Sequence, residues 1–539
     1  MRAAFANSLW WLASSRSYAT FTSSLQDPDA AQKKLLRSFL QKNGSTAFAR
    51  EHGISERSTP NEFASRVPVR NYDELQPWIH RIQRGEGRVL SSDQVARLVP
   101  TSGSTAAHKL IPYTATLHSE LNRAIDAWIF DLFRSRPGLM LGSAYWSISP
   151  ISPQAFHSTE ESSVPIGFDD DAEYLGKWRK SLINATMAVP SEVREITSIE
   201  DWRYITALSL LRRKDLSLVS VWHPSFFMFL LKEIRDKWDR LLSDIASGQC
   251  AAEKNLPTPV HSVLRLSPDP RRSRELSRLD PSAPSRLWPN LEVISCWTDA
   301  NASGAAADLT RLFGKDVIQA KGLIATEGIV SIPFRGLHPL AIRSHYFEFE
   351  DNKDFALRTA GQLREGNEYR VILTTGGGLW RYRLDDLVVV DGMLGRTPSI
   401  RFVGKCSQVS DRAGEKLSDG FVSSVFLQLF QAMTNRPSFA MLAPEVNAHQ
   451  PGYTLYLNAD VPEQTSAHLD RLLSANPHYA YCRHLGQLPA PRLFRISDDA
   501  HAAYSQRLQG MGKRLGEIKP VSLSTLDDWS SQLRGRYVE

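Results

Sequence analysis

Residues 216–242 read LSLVSVWHPSFFMFLLKEIRDKWDRLL, and this stretch decides the fold class. Its first residues form an apolar, β-prone run, the proline at 224 marks a turn, and the remainder has the periodicity of an amphipathic helix. Further β-prone runs follow at 291–297 (LEVISCW) and 316–320 (DVIQA). Strands that alternate with helices predict an α/β protein with a largely parallel sheet.

The regions on either side of this core have different patterns. Residues 30–43 and 116–133 place apolar side chains at helical spacing, and both predict helices. Beyond residue 340 the pattern becomes strand-rich, as at 370–374 (RVILT) and 400–403 (IRFV). A chain of 539 residues predicts two or more packed units, and we place the boundary between residues 1–403 and 404–539.

Composition limits the classes of protein to consider. With 64 Lys and Arg against 58 Asp and Glu, the net charge of +6 is small for the length and gives no argument for a nucleic-acid partner. No apolar run reaches the roughly 18–20 residues of a membrane helix, and we expect residues 5–13 to form a structural helix rather than a targeting segment. The four cysteines are far apart and lack metal-ligand spacing, which is typical of a reduced, cytoplasmic protein. We expect a monomer.

Several common catalytic motifs are missing, including GxSxG, HExxH, GxGxxG and the GxxxxGK[ST] phosphate loop. A different small, hydroxyl-rich segment is present at 101–105 (TSGST), and Lys109 follows it. Backbone N–H groups and hydroxyls in such a loop can hold phosphate oxygens, with the lysine adding positive charge. The alternative is an ordinary polar turn.

Three charged segments interrupt β-like runs and offer further chemistry. Thr326-Glu327 lies between two apolar runs and is either an exposed turn or a carboxylate site for Mg²⁺. Residues 378–390 (GLWRYRLDDLVVV) contain two arginines and two aspartates, which suit structural salt bridges or an aspartate that accepts hydrogen bonds from a ribose diol. Gly404-Lys405 interrupts two β-like runs, which indicates a hinge or a hairpin turn.

The order and spacing of these segments resemble the acyl-acid amido synthetases of the Gretchen Hagen 3 family, a branch of the adenylate-forming, firefly luciferase-like superfamily. The likeness runs nearly from end to end and is closest to bacterial members. The stretches that carry it, besides TSGST, are 67–81 (VPVRNYDELQPWIHR), 144–150 (AYWSISP), 325–328 (ATEG), 346–350 (YFEFE), 378–386 (GLWRYRLDD), 402–405 (FVGK) and 414–419 (GEKLSD).

The resemblance implies a large N-terminal adenylate-forming domain with mixed and parallel sheets, followed by a smaller, mobile α+β lid domain. It also implies a two-step reaction. A carboxylate attacks the α-phosphate of ATP and expels pyrophosphate, and an amine, usually that of an amino acid, then attacks the acyl-adenylate and releases AMP. Negative charge that grows on the α-phosphate must be offset by cations, Mg²⁺ and N–H donors.

The same resemblance assigns residues to ATP and Mg²⁺. Those expected to bind the nucleotide are Ser102, Gly103, Ser104, Thr105, Thr326, Asp386 and Lys405. Glu327 is the expected Mg²⁺ ligand, and Glu327, Lys416 and Lys519 are the expected catalytic residues. Asp386 would hold the ribose hydroxyls.

The chain departs from the family pattern at three places. Leu323 stands where an aromatic residue often stacks on adenine, and Asp385 replaces the glycine that usually precedes the ribose aspartate. Pro491-Arg492 precede Lys519 rather than follow it. Two other functions stay open: an acyl-CoA synthetase that uses a thiol as the acceptor, and a non-catalytic relative that binds the ligand.

Overall fold

In the computed structural model, the described residues are 2–101, 109–147, 162–167, 177–250, 256–264, 266–406, 409–431, 433, 436–447, 450–462, 464–511, 513 and 518–538. Contacts divide the chain into two compact units. The first comprises Met1–Trp297, Asp308–Leu384 and Val388–Arg401, and the second Thr298–Ala307, Asp385–Leu387 and Phe402–Glu539. The last segment of the second unit therefore begins at Phe402, two residues before the predicted boundary at residue 404. The roles given to the two predicted domains stay a prediction.

The helices up to residue 313 are α1 Arg2–Ser24, α2 Pro28–Asn43, α3 Ala47–Glu51, α4 Pro60–Arg66, α5 Tyr72–Gln83, α6 Ala115–Ser135, α7 Lys177–Thr186, α8 Ile199–Arg212, α9 Pro224–Asp236, α10 Trp238–Ser247, α11 Thr258–Val263, α12 Pro270–Leu276 and α13 Ser303–Phe313. The strands up to residue 405 are β1 Val95–Pro100, β2 Leu110–Thr114, β3 Ser143–Trp146, β4 Leu216–Ser220, β5 Val293–Cys296, β6 Ile318–Ala320, β7 Tyr346–Asp351, β8 Leu357–Thr359, β9 Glu368–Thr374, β10 Tyr382–Leu394 and β11 Thr397–Lys405.

The first unit contains a parallel sheet with strand order β3-β4-β5-β6. Val219 pairs with Ile294, and Ile294 pairs with Ile318. The α/β prediction is therefore confirmed. One detail of it is wrong: the single helix expected within 216–242 is two helices, because Lys237 leaves the helical conformation (φ −115°, ψ 23°) between α9 and α10.

The first helix packs on α6 through aromatic side chains. Trp11 stacks on Phe130 with ring centroids 5.0 Å apart, and Tyr18 lies 4.5 Å from the same ring. This contact explains why the apolar residues near the start of the chain form a structural helix. A second sheet of strands β11-β10-β9-β7-β8 and the β1-β2 hairpin surround the same apolar core.

The second unit is α+β. Its strands are β12 Val409–Ser410, β13 Leu417–Ser418, β14 Ala440–Asn447, β15 Gln450–Leu457, β16 Arg492–Ile496 and β17 Gly535–Val538, and its helices are α14 Asp419–Leu429, α15 Thr465–Leu473, α16 Pro477–His484 and α17 Ala500–Gly510. Strands β14-β15-β16-β17 form one mixed sheet. In the part of the chain that the structure describes, no helix combines the length and the apolar character that crossing a membrane requires.

Candidate active site

The hydroxyl-rich loop connects the two strands of the β1-β2 hairpin. Pro100 pairs with Leu110, and the Thr101 N–H donates to the Lys109 carbonyl over 2.8 Å, which closes the base of the loop. The predicted phosphate-binding residues Ser102, Gly103, Ser104 and Thr105 lie outside the described residues. Their assignment stays a prediction, and the hairpin fixes only where the loop starts and ends.

Thr326 and Glu327 form the tip of a tight turn. The Ala325 N–H donates to the Gly328 carbonyl (3.0 Å) and the Gly328 N–H donates to the Ala325 carbonyl (3.2 Å), with Ile324 and Ile329 bridged as in an antiparallel pair. Both tip residues are half-buried. The chain therefore turns at Thr326-Glu327 as expected, although the tip of the turn is half-buried rather than exposed. The Mg²⁺ role of Glu327 stays a prediction.

A buried acid–histidine pair holds this turn. The Ile329 N–H donates to Nε2 of His345 (3.1 Å), so the proton of the neutral ring is on Nδ1. Nδ1–H then donates to Oε2 of Glu120 (2.9 Å), and both Glu120 oxygens accept from the Gly376 N–H at 3.0 Å. Glu120 and His345 are fully buried, so the pair rigidly connects helix α6, the turn at 376 and the turn that carries Glu327.

Gly328 is required by the same pair. A Cβ placed there would lie 2.8 Å from Nε2 of His345, closer than real Cβ contacts allow. The glycine of the ATEG segment is therefore a point of close approach between the turn and the histidine ring. Leu323, at the position where the family often has an aromatic residue, is half-buried and packs on the core.

The arginines of the GLWRYRLDD segment are structural. Arg381 is buried and makes a bidentate ion pair with Glu348, with N–O distances of 2.7 and 2.8 Å. Arg383 donates to Glu350 over 2.9 Å. These pairs link Arg381, directly before β10, and Arg383, within β10, to carboxylates of β7. For the arginines, the salt-bridge interpretation is confirmed.

The two aspartates of the same segment differ in their surroundings. Asp386 is 3% exposed and pairs with Lys405, whose Nζ lies 3.0 Å from Oδ1. Asp385 is half-buried, and its carbonyl accepts from the Cys406 N–H over 2.7 Å. The structure therefore brings together two of the predicted nucleotide-binding residues, Asp386 and Lys405, and distinguishes Asp386 from its neighbour by burial. The ribose role of Asp386 stays a prediction.

The glycine next to Lys405 does not interrupt a strand, so this detail of the sequence interpretation is wrong. Gly404 lies inside β11, which ends only at Lys405. A Cβ at Gly404 would lie 3.0 Å from the Cα of Gly420 in α14. Close packing of strand against helix thus explains the glycine, and the break between the two β-like runs follows Lys405.

Lys416 and Lys519 belong to the second unit. Lys416 is exposed and has a left-handed backbone (φ 48°). The residue before it, Glu415, is buried and accepts hydrogen bonds from the Arg412 and Ala413 N–H groups (2.8 and 2.7 Å) and from the Tyr453 hydroxyl. Glu415 therefore fixes the loop that presents Lys416. Lys519 follows α17, and its carbonyl accepts from the Tyr504 hydroxyl over 2.9 Å.

Sequence reasoning missed Glu120, His345 and Lys321. Glu120 and His345 are 225 residues apart, so no local spacing connects them. The available signal for Glu120 is a carboxylate on the apolar face of an amphipathic helix. For Lys321 the signal is a lysine that directly follows a β-prone run.

The fold of this chain, with an α/β first unit and an α+β second unit, is known from solved structures. The chain shares the fold of a solved structure described as the AtGH3.15 acyl acid amido synthetase in complex with 2,4-DB, with a TM-score of 0.86 at 16% identity. The match covers 98% of this chain and 96% of that one. The protein belongs to the GH3 family: residues 17–318 match the GH3 family N-terminal domain, and residues 338–405 match the GH3 family central domain.

Relatives of this chain include plant enzymes. It is 25% identical over 415 residues to the indole-3-acetic acid-amido synthetase GH3.8 of Oryza sativa subsp. indica, which covers 70% of this chain and 66% of that protein. It is 23% identical over 414 residues to the jasmonoyl–L-amino acid synthetase JAR6 of Nicotiana attenuata, covering 70% of this chain and 69% of the relative. The resemblance to this family is confirmed.

Proposed function

We propose that this protein is an ATP-dependent ligase that adenylates a carboxylic acid and transfers the acyl group to an amine, with amino acids as the favoured acceptors. The observation that carries the proposal is membership of a family whose named relatives are amido synthetases, together with a shared fold over 98% of the chain. The first step joins a carboxylate oxygen to the α-phosphorus and releases pyrophosphate. In the second, the amine nitrogen attacks the acyl carbon, AMP leaves, and the nitrogen loses a proton.

Glu327, as a single carboxylate, suits a Mg²⁺ ion that is shared with phosphate oxygens. In nucleotide enzymes this ion is held by one or two carboxylates and completes its octahedron with phosphate oxygens and water. Glu327 offers one half-buried carboxylate on a rigid turn, and the described residues contain no group of three or more His, Cys, Asp or Glu that would hold an ion alone. Glu327 would therefore hold an ion that also binds phosphate, and the bound ion would neutralise the charge of the leaving pyrophosphate.

The other residues are assigned to the nucleotide in the same proposal. Asp386, buried and acidic, accepts hydrogen bonds from the ribose hydroxyls, and Thr326 lies beside the metal ligand at the tip of the turn. The loop 102–105 binds the phosphates, and Lys416 and Lys519 offset their charge. The Glu120–His345 pair acts through the turn and is a positioning element.

The direct test is a pyrophosphate-release screen of aromatic and aliphatic carboxylic acids, with and without each standard amino acid or coenzyme A, followed by mass spectrometry of the products. We expect ATP- and Mg²⁺-dependent release with some acids and a new amide when an amino acid is present. A thioester formed in preference to any amide would make the protein an acyl-CoA synthetase. An acid that binds without any pyrophosphate release would make it a binding protein.

We further propose that the enzyme is a monomer that acts on small molecules in the cytoplasm. The four cysteines, all of them among the described residues, form no disulfide, which suits a reducing compartment. Light scattering after size-exclusion chromatography should give the mass of one chain, 60.5 kDa.

A further inference from the structure

A lysine lies buried at the carboxyl end of the parallel sheet. Lys321 directly follows β6 and is 4% exposed. Its backbone N–H donates to the carbonyl of Cys296, the last residue of β5, over 2.9 Å. Its ammonium donates to the hydroxyl of Ser220, the last residue of β4, over 2.8 Å. Lys321 therefore occupies the point where three neighbouring parallel strands end.

The charge of this lysine has weak partners. In the described part of the chain no carboxylate forms an ion pair with Lys321; its ammonium contacts the Ser220 hydroxyl and lies 4.6 Å from the centre of the Trp222 ring. Burial lowers the pKa of Lys321 to about 7. The neighbouring Cys296 offers no anion, because burial raises the pKa of its thiol to about 12. A hydroxyl and a ring face replace only part of the hydration that a buried ammonium loses.

The position of Lys321 is one where α/β proteins bind ligands. In open parallel sheets, ligands lie outside the carboxyl ends of the strands. Two half-buried tryptophans follow the neighbouring strands there, Trp222 after β4 and Trp297 after β5, with ring centroids 5.4 Å apart. The chain then turns at Gly322 (φ 75°) and reaches Glu327 five residues later. A buried cation beside an indole surface suits an organic anion.

We propose that Lys321 binds an anionic carboxylate group of the acyl substrate, and this inference rests on the proposed function. An incoming carboxylate would supply a counter-charge that none of the described residues provides, and the indoles of Trp222 and Trp297 would pack against the carbon skeleton. The carboxylate is either the one that reacts with ATP or a second acidic group on the same acid. In either case, a carboxylate of the substrate pairs with the ammonium group of Lys321.

The test compares wild type with Lys321→Met, which keeps most of the length and the apolar character of the side-chain stem and removes the charge. Lys321→Gln is the second neutral variant, because it retains a donor for Ser220 if the methionine variant does not fold. Lys315→Met is the matched control, since Lys315 is an exposed lysine that precedes the same strand. Pyrophosphate release is measured with paired acids, isophthalate against benzoate and glutarate against butyrate, and with the best acid of the screen.

We expect the neutral variants to raise KM for the acid at least about tenfold while KM for ATP changes little, and Lys315→Met to behave as wild type. If wild type prefers the diacid of each pair and Lys321→Met does not, the lysine binds a second acidic group of the substrate. An equal rise for monoacids and diacids assigns it to the reacting carboxylate.

The inference is wrong if a folded neutral variant keeps the wild-type KM for every acid, or if KM for ATP rises as much as KM for the acid. These results would leave the ligase function intact. If no acid supports pyrophosphate release by wild type, the proposed function fails, and the inference fails with it.

Discussion

At the scale of single residues, Glu327→Gln tests the proposed metal ligand. The amide has the shape of the carboxylate but not its charge, so the variant should fold normally and nearly lose pyrophosphate release, with a higher Mg²⁺ requirement for what remains. Glu365→Gln is the control, because Glu365 is an exposed carboxylate of the same unit. Wild-type adenylation with unchanged Mg²⁺ dependence would contradict the assignment.

Asp386→Ala tests the ribose assignment against its neighbour. Charge-assisted hydrogen bonds to two hydroxyls contribute roughly 1.5–3 kcal/mol, so KM for ATP should rise about ten- to a hundredfold, and KM for the acid should rise less. Asp385→Ala is the comparison on the same strand. A larger effect at Asp385 would move the ribose contact to that residue, despite the deeper burial of Asp386.

Glu327 and Asp386 could be predicted from the sequence because each stands in a short motif with a fixed order of residues. The sequence could predict that Glu327 lies in a turn, since Thr326-Glu327 separates two apolar runs. It could not show that His345 supports that turn, because burial and the tautomer of the ring depend on Glu120 and Gly376, which are remote along the chain. Lys321 was not predicted for the same reason: its ammonium contacts Ser220, which lies a hundred and one residues earlier in the chain.

At the scale of elements, helix α6 and two turns are joined through one carboxylate, and Glu120→Gln should weaken that connection. An amide has one acceptor oxygen, so its NH₂ group must face either the Gly376 N–H or the His345 Nδ1–H. If the ring changes tautomer instead, its Nε2–H meets the Ile329 N–H. The unfolding free energy should fall by about 1–3 kcal/mol because of this buried mismatch.

The functional readout for Glu120→Gln is the Mg²⁺ concentration that gives half-maximal pyrophosphate release, which should rise while KM for the acid stays near wild type. Asp126→Asn is the matched control, because Asp126 is a second buried acid of α6 that accepts from the Ser14 and Ser17 hydroxyls. It should lose stability without a change in Mg²⁺ requirement. Equal Mg²⁺ effects in both variants would reduce Glu120 to a general packing role.

The same scale shows where sequence patterns stop being decisive. Periodicity predicted a helix after residue 224 but not its division at Lys237, where one residue with a non-helical backbone separates two amphipathic segments. The glycine at 404 suggested a break in a strand, whereas Gly420 packs so closely against it that any Cβ would be crowded. The sequence pattern indicates which face of a helix or strand is buried and which period it has. Where an element is interrupted depends on tertiary contacts that the pattern does not contain.

At the scale of the whole molecule, Lys321 predicts how stability depends on pH. The lysine has a pKa of about 7 in the folded protein against the ordinary value of 10.5. Between these values the unfolded chain carries a proton that the folded chain has released, so the unfolding free energy rises with pH as far as this group is concerned. Below pH 7 both states are protonated, and the folded state bears the full cost of the buried charge.

The variant Lys321→Met removes this titration, so it should be more stable than wild type near about pH 6, and the advantage should shrink as the pH rises toward about 9. Urea unfolding of both proteins across this range, without nucleotide or acid, measures the difference directly. Parallel stability curves would mean that the lysine keeps an ordinary pKa. A saturating acid that binds Lys321 should also stabilise the charged form, so ligand should remove much of the difference between the two proteins on the low-pH side of the range.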